Sequence, residues 1–525
     1  MGGRRSEQEA DIPTATTAVT AASEPEGQAA VRAWPRVDWA IAVPAAATLA
    51  LMTWGISARA YSGDEADTMS AVSRSLPQLW HMFGHVDAVH GLYYVLLWPV
   101  VRVLGPSAAA TRLPSAVAMA AAAAGVSAIG HRTRSRRAGL YAGLVFAVLP
   151  SVTSEGQDAR PYAMITAAVV LASYLFLRAA ADPRPRRLAV YGASLLLVGY
   201  LQIFGLLIVL AHAVTLLARH AGTRDGGQPG GAAVSPPPAR ATWGWLLTVT
   251  AVLAAVTPLV AASWAQRAME GWLTKPSWAD LTSLASYLAV GSTLSAAVMA
   301  ALTILGAARG DGARRRDQPG WGTRAPAGGG RLVWLALPWL AVPPAVLLAV
   351  SEIKPVYDSR YVIFCLPAAA LLAGGGLAAL GRASSAVALT LIAALSLPAQ
   401  LAWRVPGGDM REAAQILSAN TRPGDGIVYP STGIPPWYLA YPASFQGVRD
   451  VGMGVSGAVL GHLYGAAAPL PTVRRREDSL RRLWVVEIGW PRATLAPYLA
   501  PGFRLAREWQ PDHGAAKLWL FTRTD

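Results

Sequence analysis

The chain has 525 residues, 53% of them hydrophobic and only 14% charged, and 45 Lys and Arg against 30 Asp and Glu give a net charge of +15. A soluble protein of this size carries a charged surface nearer a quarter of its residues, so the composition excludes an ordinary soluble enzyme. The basic residues stand in short clusters between apolar runs, not in one groove-like patch; this excludes nucleic acid as a partner and matches the positive-inside pattern of a membrane protein.

Residues 1–38, rich in Ala, Thr, Glu and Gly, read as a disordered cytoplasmic tail without a signal peptide. Apolar runs near bilayer-crossing length follow at roughly 39–57, 110–130, 137–151, 161–180, 187–201, 203–219, 243–264, 281–308, 331–350, 360–380 and 385–403, about eleven in all. The run Gly91–Leu104 is short for a crossing, and His90, Tyr93, Tyr94 and Trp98 suit a helix lying flat at the interface. With that helix flat, the cluster Arg132, Arg134, Arg136 and Arg137 is cytoplasmic. So are two Gly/Pro/Arg-rich linkers, 219–242 and 309–330. The outer face then receives 58–110, 151–160, 265–280, 351–359 and everything after Trp403. After Trp403 the pattern changes to that of a small α/β domain, 404–525. Asp409–Asn420 is an amphipathic helix with Ile416 and Leu417 on one face; GIVYP, LWVVEIGW, FRLAREW and AAKLWLFTR read as strands. The fold class expected is an all-α polytopic membrane protein with a C-terminal extracytoplasmic α/β domain. The single cysteine, Cys365, permits no internal disulfide.

Ionisable residues gather in the outer loops. The first holds Asp64, Glu65, Asp67, His81, His85, Asp87 and His90; the second Glu155, Gln157, Asp158 and Arg160; a later one Glu352, Lys354, Asp358 and Arg360. Asp64 and Glu65 begin a few residues past the first span. Adjacent carboxylates repel, and burial near lipid raises one pKa, which suits a general base. His81 and His85 share a helical face, but two interfacial histidines on an amphipathic helix are the simpler reading against zinc. Gly374, Gly375 and Gly376 lie inside an apolar span, where close helix packing explains them better than a phosphate loop.

Four segments taken in order, GDEADTMSAVSRS, HVDAVHGLYYVLLWPVVRVLGPSAAATRLPSA, SEGQDARPYAM and SRYVIFCLPAAALL, resemble GT-C superfamily glycosyltransferases. The likeness is to bacterial relatives of glycosyltransferase family 39 protein mannosyltransferases and of lipid A glycosyltransferases. The resemblance implies a polytopic plasma-membrane enzyme that uses a polyprenyl-phosphate sugar at the outer face, with mannose the natural guess. The acceptor is a hydroxyl on protein, lipid or polysaccharide. It implies Asp64 as general base in an inverting transfer, Glu65 as its support or an acceptor ligand, and Arg160 and Arg360 as phosphate ligands, with Lys354 a weaker candidate. Asp87, His90, Tyr94, Gln157, Tyr162 and Tyr361 complete the expected substrate-binding set. DAVHGLYY departs from the proline-rich HPP entry of relatives, which leaves the acceptor subsite open. No cofactor is expected, and no second acid-rich motif with metal-ligand spacing supports a divalent cation. A transporter or lipid flippase is the alternative; it predicts charged or broken segments at mid-membrane, whereas these spans are almost free of charge. A non-catalytic scaffold would leave Asp64 dispensable.

Overall fold

The computed structural model describes residues 38–224, 239–267, 271, 273–288, 293–308, 330–429, 433–434, 437–488, 499–511 and 516–523. The expected disordered tail and most of both linkers fall outside them.

The first helix, α1 (Trp39–Thr53), leads into a loop carrying α2 (Gly63–Val72), α3 (Leu76–Phe83) and α4 (Gly91–Leu104). Then come α5 (Ala108–Thr133), α6 (Arg136–Val148), α7 (Pro150–Gly156), α8 (Tyr162–Ala181), α9 (Pro185–Leu201) and α10 (Ile208–Arg224). The bundle continues with α11 (Ala239–Ala265), α12 (Trp278–Leu288), α13 (Thr293–Ala308) and α14 (Gly330–Ile353). A 3-10 segment, Ser359–Cys365, runs into α15 (Leu366–Ala379), and α16 (Arg382–Trp403) closes the series. Six of these helices are long and apolar enough to cross a bilayer, or seven if α6 and α7 form one bent span. About eleven were expected; crossing takes about 20 apolar residues, and among the expected spans α1, α9 and α10 are shorter than that, while the run 281–308 holds both α12 and α13. The apolar helices make the chain a multi-pass membrane protein.

Small residues let these helices approach closely. A Cβ on Gly374 of α15 would fall 2.4 Å from the Ala142 backbone nitrogen of α6, and one on Gly376 would fall 2.0 Å from the Leu302 carbonyl oxygen of α13. The three glycines therefore pack helices, as small residues do at membrane helix interfaces. α6 and α7 meet at a 65° bend. Pro150 at the start of α7 forces it, because Leu149 must leave helical geometry ahead of a proline. After the bend α7 packs against α1, α5, α8 and α16.

The C-terminal region contains α17 (Asp409–Asn420), β1 (Gly426–Val428), β2 (Gly433–Ile434), α18 (Trp437–Ala440), β3 (Arg449–Asp450), β4 (Met453–Val455) and α19 (Gly457–Leu460). It ends with β5 (Gly465–Ala467), α20 (Leu470–Glu477), β6 (Arg482–Ile488), β7 (Phe503–Trp509) and β8 (Ala516–Arg523). One sheet has the order β3-β1-β6-β8-β7, with β1 parallel to β3 and β6 and the remaining pairs antiparallel; the other has the order β2-β5-β4. Leu417 of α17 is buried against Trp484 and Leu518, as the helix pattern required. Residues 39–525 nonetheless form one compact unit. Arg404, just after α16, donates to the Trp54 and Leu51 carbonyls beyond and within α1, and Arg411 of α17 donates to the carbonyls of Ser57, Ala58 and Arg59.

Candidate active site

The site is built on the first turn of α2. Ser62 and Glu65 form a capping box: the Ser62 hydroxyl accepts from the Glu65 amide at 3.2 Å, and Glu65 Oε2 accepts from the Ser62 amide at 3.0 Å. Asp64 and Glu65 in that first turn also meet the positive end of the helix dipole. Their side chains then part. Glu65, 2% exposed, takes a bidentate ion pair from Arg112 of α5, with Nε and Nη2 each 2.7 Å from a carboxylate oxygen, and also accepts from the Ala159 amide. Arg112 further donates to the carbonyls of Ile56, Arg59 and Ala60. Every polar group of this pair is thus bonded within the fold. Glu65, expected to support the base or bind acceptor, holds α2, α5 and the chain entering α8 together in this geometry. Arg112 is also a buried charge inside an expected span, so those spans are less free of charge than the sequence suggested. It lies in the second turn of α5, at one end of the helix.

Asp64 is 39% exposed, and its Oδ2 lies 2.7 Å from Arg360 Nη1. Arg360 is oriented from below by Asp358, which accepts from its backbone amide at 2.8 Å and from its guanidinium at 3.3 Å, and its guanidinium lies 5.6 Å over the Tyr162 ring. Arg160, buried, reaches the Asp64 carbonyl at 3.4 Å, while its Nε has no hydrogen-bond partner among the described residues. Burial alone would raise the Asp64 carboxyl, but the charges of Arg160 and Arg360 and the Arg360 hydrogen bond outweigh it and hold it below the ordinary range. The sequence suggested that one carboxyl of the Asp64–Glu65 pair is raised; Asp64 is instead lowered. The raised acid is Asp67, one turn further along α2: burial, with Asp87 and Asp64 adding repulsion, lifts it to about 7. Burial, reinforced by Glu65 and Glu155, also drives Asp158 well up.

Asp87 forms a second cluster, accepting from Tyr94 Oη and lying 2.5 Å from His90 Nδ1. It adopts a left-handed backbone conformation, φ +58°, which Asp tolerates better than most residues. Burial would raise it, but the charge and hydrogen bond of His90, with Arg160 and Tyr94, pull it below normal. Trp98 and Arg102, further along α4, both donate to the Arg74 carbonyl just past α2. Both halves of α4 are thereby tied to the first loop.

Three other expected ligands are placed differently. The Gln157 amide donates at 2.8 Å to the carbonyls of Met52 and Trp54, fastening the end of α1. Lys354 sits 4.0 Å over the Trp264 ring, and Tyr361 stacks on Phe204 at 5.4 Å. His81 and His85 lie against one another and against Gly461, and no group of three metal-ligating side chains occurs among the described residues. The segment after α19 reaches the site from the C-terminal region. Ser70 and Arg74 donate to the Leu463 and His462 carbonyls, and Tyr464 donates to Asp67 at 3.4 Å. Sequence reasoning missed Arg112 and Tyr464, and gave no role to Asp358, which it named only as a loop acid. A lone arginine at the head of an apolar run was a signal for Arg112, and an Asp two residues before an Arg at a helix entry was one for Asp358; nothing local marks Tyr464.

Structural comparison fits this arrangement. The chain covers 97% of ArnT from Cupriavidus metallidurans bound to undecaprenyl phosphate, over 91% of its own length, at 12% identity and a TM-score of 0.57. The apo form of that protein matches with the same coverage and TM-score at 13% identity. The Archaeoglobus fulgidus oligosaccharyltransferase complex with zinc and sulfate matches at 13% identity over 85% of this chain and 67% of that one, with a TM-score of 0.43, too loose to bear on the fold. No curated protein sequence matches significantly. The fold is that of the GT-C membrane glycosyltransferases, as the ordered motifs suggested. Within that class, residues 92–229 match the sequence model of the dolichyl-phosphate-mannose-protein mannosyltransferases.

Proposed function

We propose that the chain is a membrane glycosyltransferase that moves a sugar from a polyprenyl-phosphate donor to an acceptor hydroxyl of the cell envelope. The observation that carries this reading is the Asp64–Arg360 ion pair with Arg160 behind it: one accessible carboxylate beside two arginines, at the end of the bundle where α2, α8 and the 3-10 segment meet. Donor phosphate competes for Arg360 and Arg160. As Arg360 turns to it, the Asp64 carboxylate loses the charge that holds its pKa down and becomes a stronger base. Asp64 then takes the acceptor proton, the acceptor oxygen bonds to the anomeric carbon, and the bond from that carbon to the phosphate oxygen breaks. Polyprenyl phosphate leaves with its charge held by the two arginines. A single displacement inverts the anomeric configuration.

The mannosyltransferase model over residues 92–229 supports mannose, and the ArnT complex supports a polyprenyl phosphate as carrier. The acceptor is protein, lipid or polysaccharide. Arg132, Arg134, Arg136 and Arg137 lie at the opposite end of α5 from Arg112, which supports an extracytoplasmic site in the plasma membrane. The chemistry as written needs no metal. The flippase alternative wants charge at mid-membrane, whereas the buried Arg112 pair belongs to a helix end. The test is transfer from undecaprenyl-phosphate mannose by purified protein in nanodiscs, supplied with envelope extract as acceptor. Wild-type protein turns over; Asp64→Asn expresses and melts normally but does not. Wild-type turnover by that variant removes Asp64 from its role.

A further inference from the structure

Glu155 has no part in the transfer as described, yet it is among the most deeply buried acids near the site, 5% exposed. The bend at Pro150 brings it there on α7. Its Oε1 accepts from the Tyr287 hydroxyl of α12 at 3.1 Å, and the Ser151 hydroxyl donates to the Tyr287 carbonyl at 2.6 Å, fixing α12 against α7. Its Oε2 is buried and has no hydrogen-bond partner among the described residues. Arg360, Asp358 and Asp64 are all near enough to act on it electrostatically. An acceptor oxygen left unbonded in a low dielectric is costly, and a donor from a ligand relieves that cost.

Arg160 Nε is the complementary case, a buried donor without an acceptor in the same cluster. One orphan seeks an anionic oxygen and the other seeks a hydroxyl. A glycosyl phosphate carries both, joined by one bond at the anomeric carbon.

We propose that Glu155, positioned by Tyr287, binds a ring hydroxyl of the donor sugar whose phosphate Arg160 and Arg360 hold, and so sets which sugar the site accepts. This rests on the transferase reading above. Tyr287 acts through Glu155: its hydrogen bond fixes one oxygen of the carboxylate and leaves the other for the sugar. The carboxylate distinguishes a hydroxyl at the right ring position from its epimer, because the wrong epimer leaves Oε2 unbonded.

The test compares the affinity of full-length protein in nanodiscs for undecaprenyl phosphate and for undecaprenyl-phosphate mannose. Wild type is expected to bind the mannosylated lipid more tightly. Glu155→Gln should lose about tenfold in affinity for that lipid, the effect of one charge-assisted hydrogen bond, with affinity for undecaprenyl phosphate unchanged. Tyr287→Phe should lose less, in the same direction. Equal losses for both lipids, or an unchanged preference, overturn the inference; if Glu155→Gln does not fold, an unchanged preference in Tyr287→Phe overturns it alone. Wild-type protein that binds both lipids equally sinks the sugar contact but leaves the transferase reading standing. Wild-type protein that binds neither sinks both.

Discussion

Asp64 and Glu65 are neighbours in the chain, and each meets an arginine at 2.7 Å, but the two ion pairs serve different ends. The Glu65–Arg112 pair is sealed: both partners are almost wholly buried, and backbone groups complete their hydrogen bonds. The Asp64–Arg360 pair is open, with about a third of each side chain exposed. A sealed pair cannot exchange partners without breaking the fold, because removing one member strands a buried charge. In an open pair the arginine can exchange carboxylate for phosphate at small cost, since water solvates what is released. One helix turn thus holds a sealed acid and an accessible acid, side by side.

The sharpest way to break this contrast is to remove the charge of Asp64 and, separately, the arginine that pairs with Glu65. Asp64→Asn should reduce transfer by as much as about 10⁴-fold, the upper range for loss of general-base catalysis, without a change in melting temperature. Arg112→Ala should show the reverse emphasis, losing about 3–5 kcal/mol of stability, read as a large fall in melting temperature and in folded yield. If Arg112→Ala melts like wild type, the sealed pair is not structural and the distinction fails. Arg160→Ala is expected to weaken binding of undecaprenyl phosphate about tenfold or more, as for a charged hydrogen bond lost, and to leave the fold intact; unchanged lipid affinity removes Arg160 from the phosphate site.

A further effect lies one turn along α2 and appears as a slope. Folded Asp67 keeps its proton to about pH 7, whereas the unfolded chain releases it near the ordinary 3.8. Between those values the folded state binds more protons, so this group makes stability fall as pH rises from about 4 to about 7, and the curve is level above. Asp67→Asn should flatten that fall and melt higher than wild type above pH 7. An unaltered pH profile of the melting temperature would show that Asp67 ionises normally.

Much of the secondary structure could be read locally. Asp409–Asn420 forms the helix its apolar face required, and the strands follow LWVVEI, FRLAREW and AKLWLFTR. The candidate site was less legible. Ser62-Gly63-Asp64-Glu65 carries a capping-box pattern that assigns Glu65 to the helix end, and that pattern separates the two acids before any tertiary contact is known. Apolar length alone does not fix the number of spans, because it does not register bends such as the one at Pro150. Gln157 was expected as a ligand from the resemblance; its amide donates to carbonyls at the end of α1, some hundred residues earlier.

Composition and hydropathy, by themselves, determined that this chain enters a membrane, and motif order determined the likeness to lipid-linked sugar transferases, because both are sums or sequences of local features. Only the tertiary structure decided which arginine each acid meets. Arg112 and Arg360 are 47 and 296 residues from their partners, and no local pattern specifies a pairing over such distances. Burial decided it: the same carboxylate chemistry is a rivet where helices exclude water and stays open to exchange where they do not.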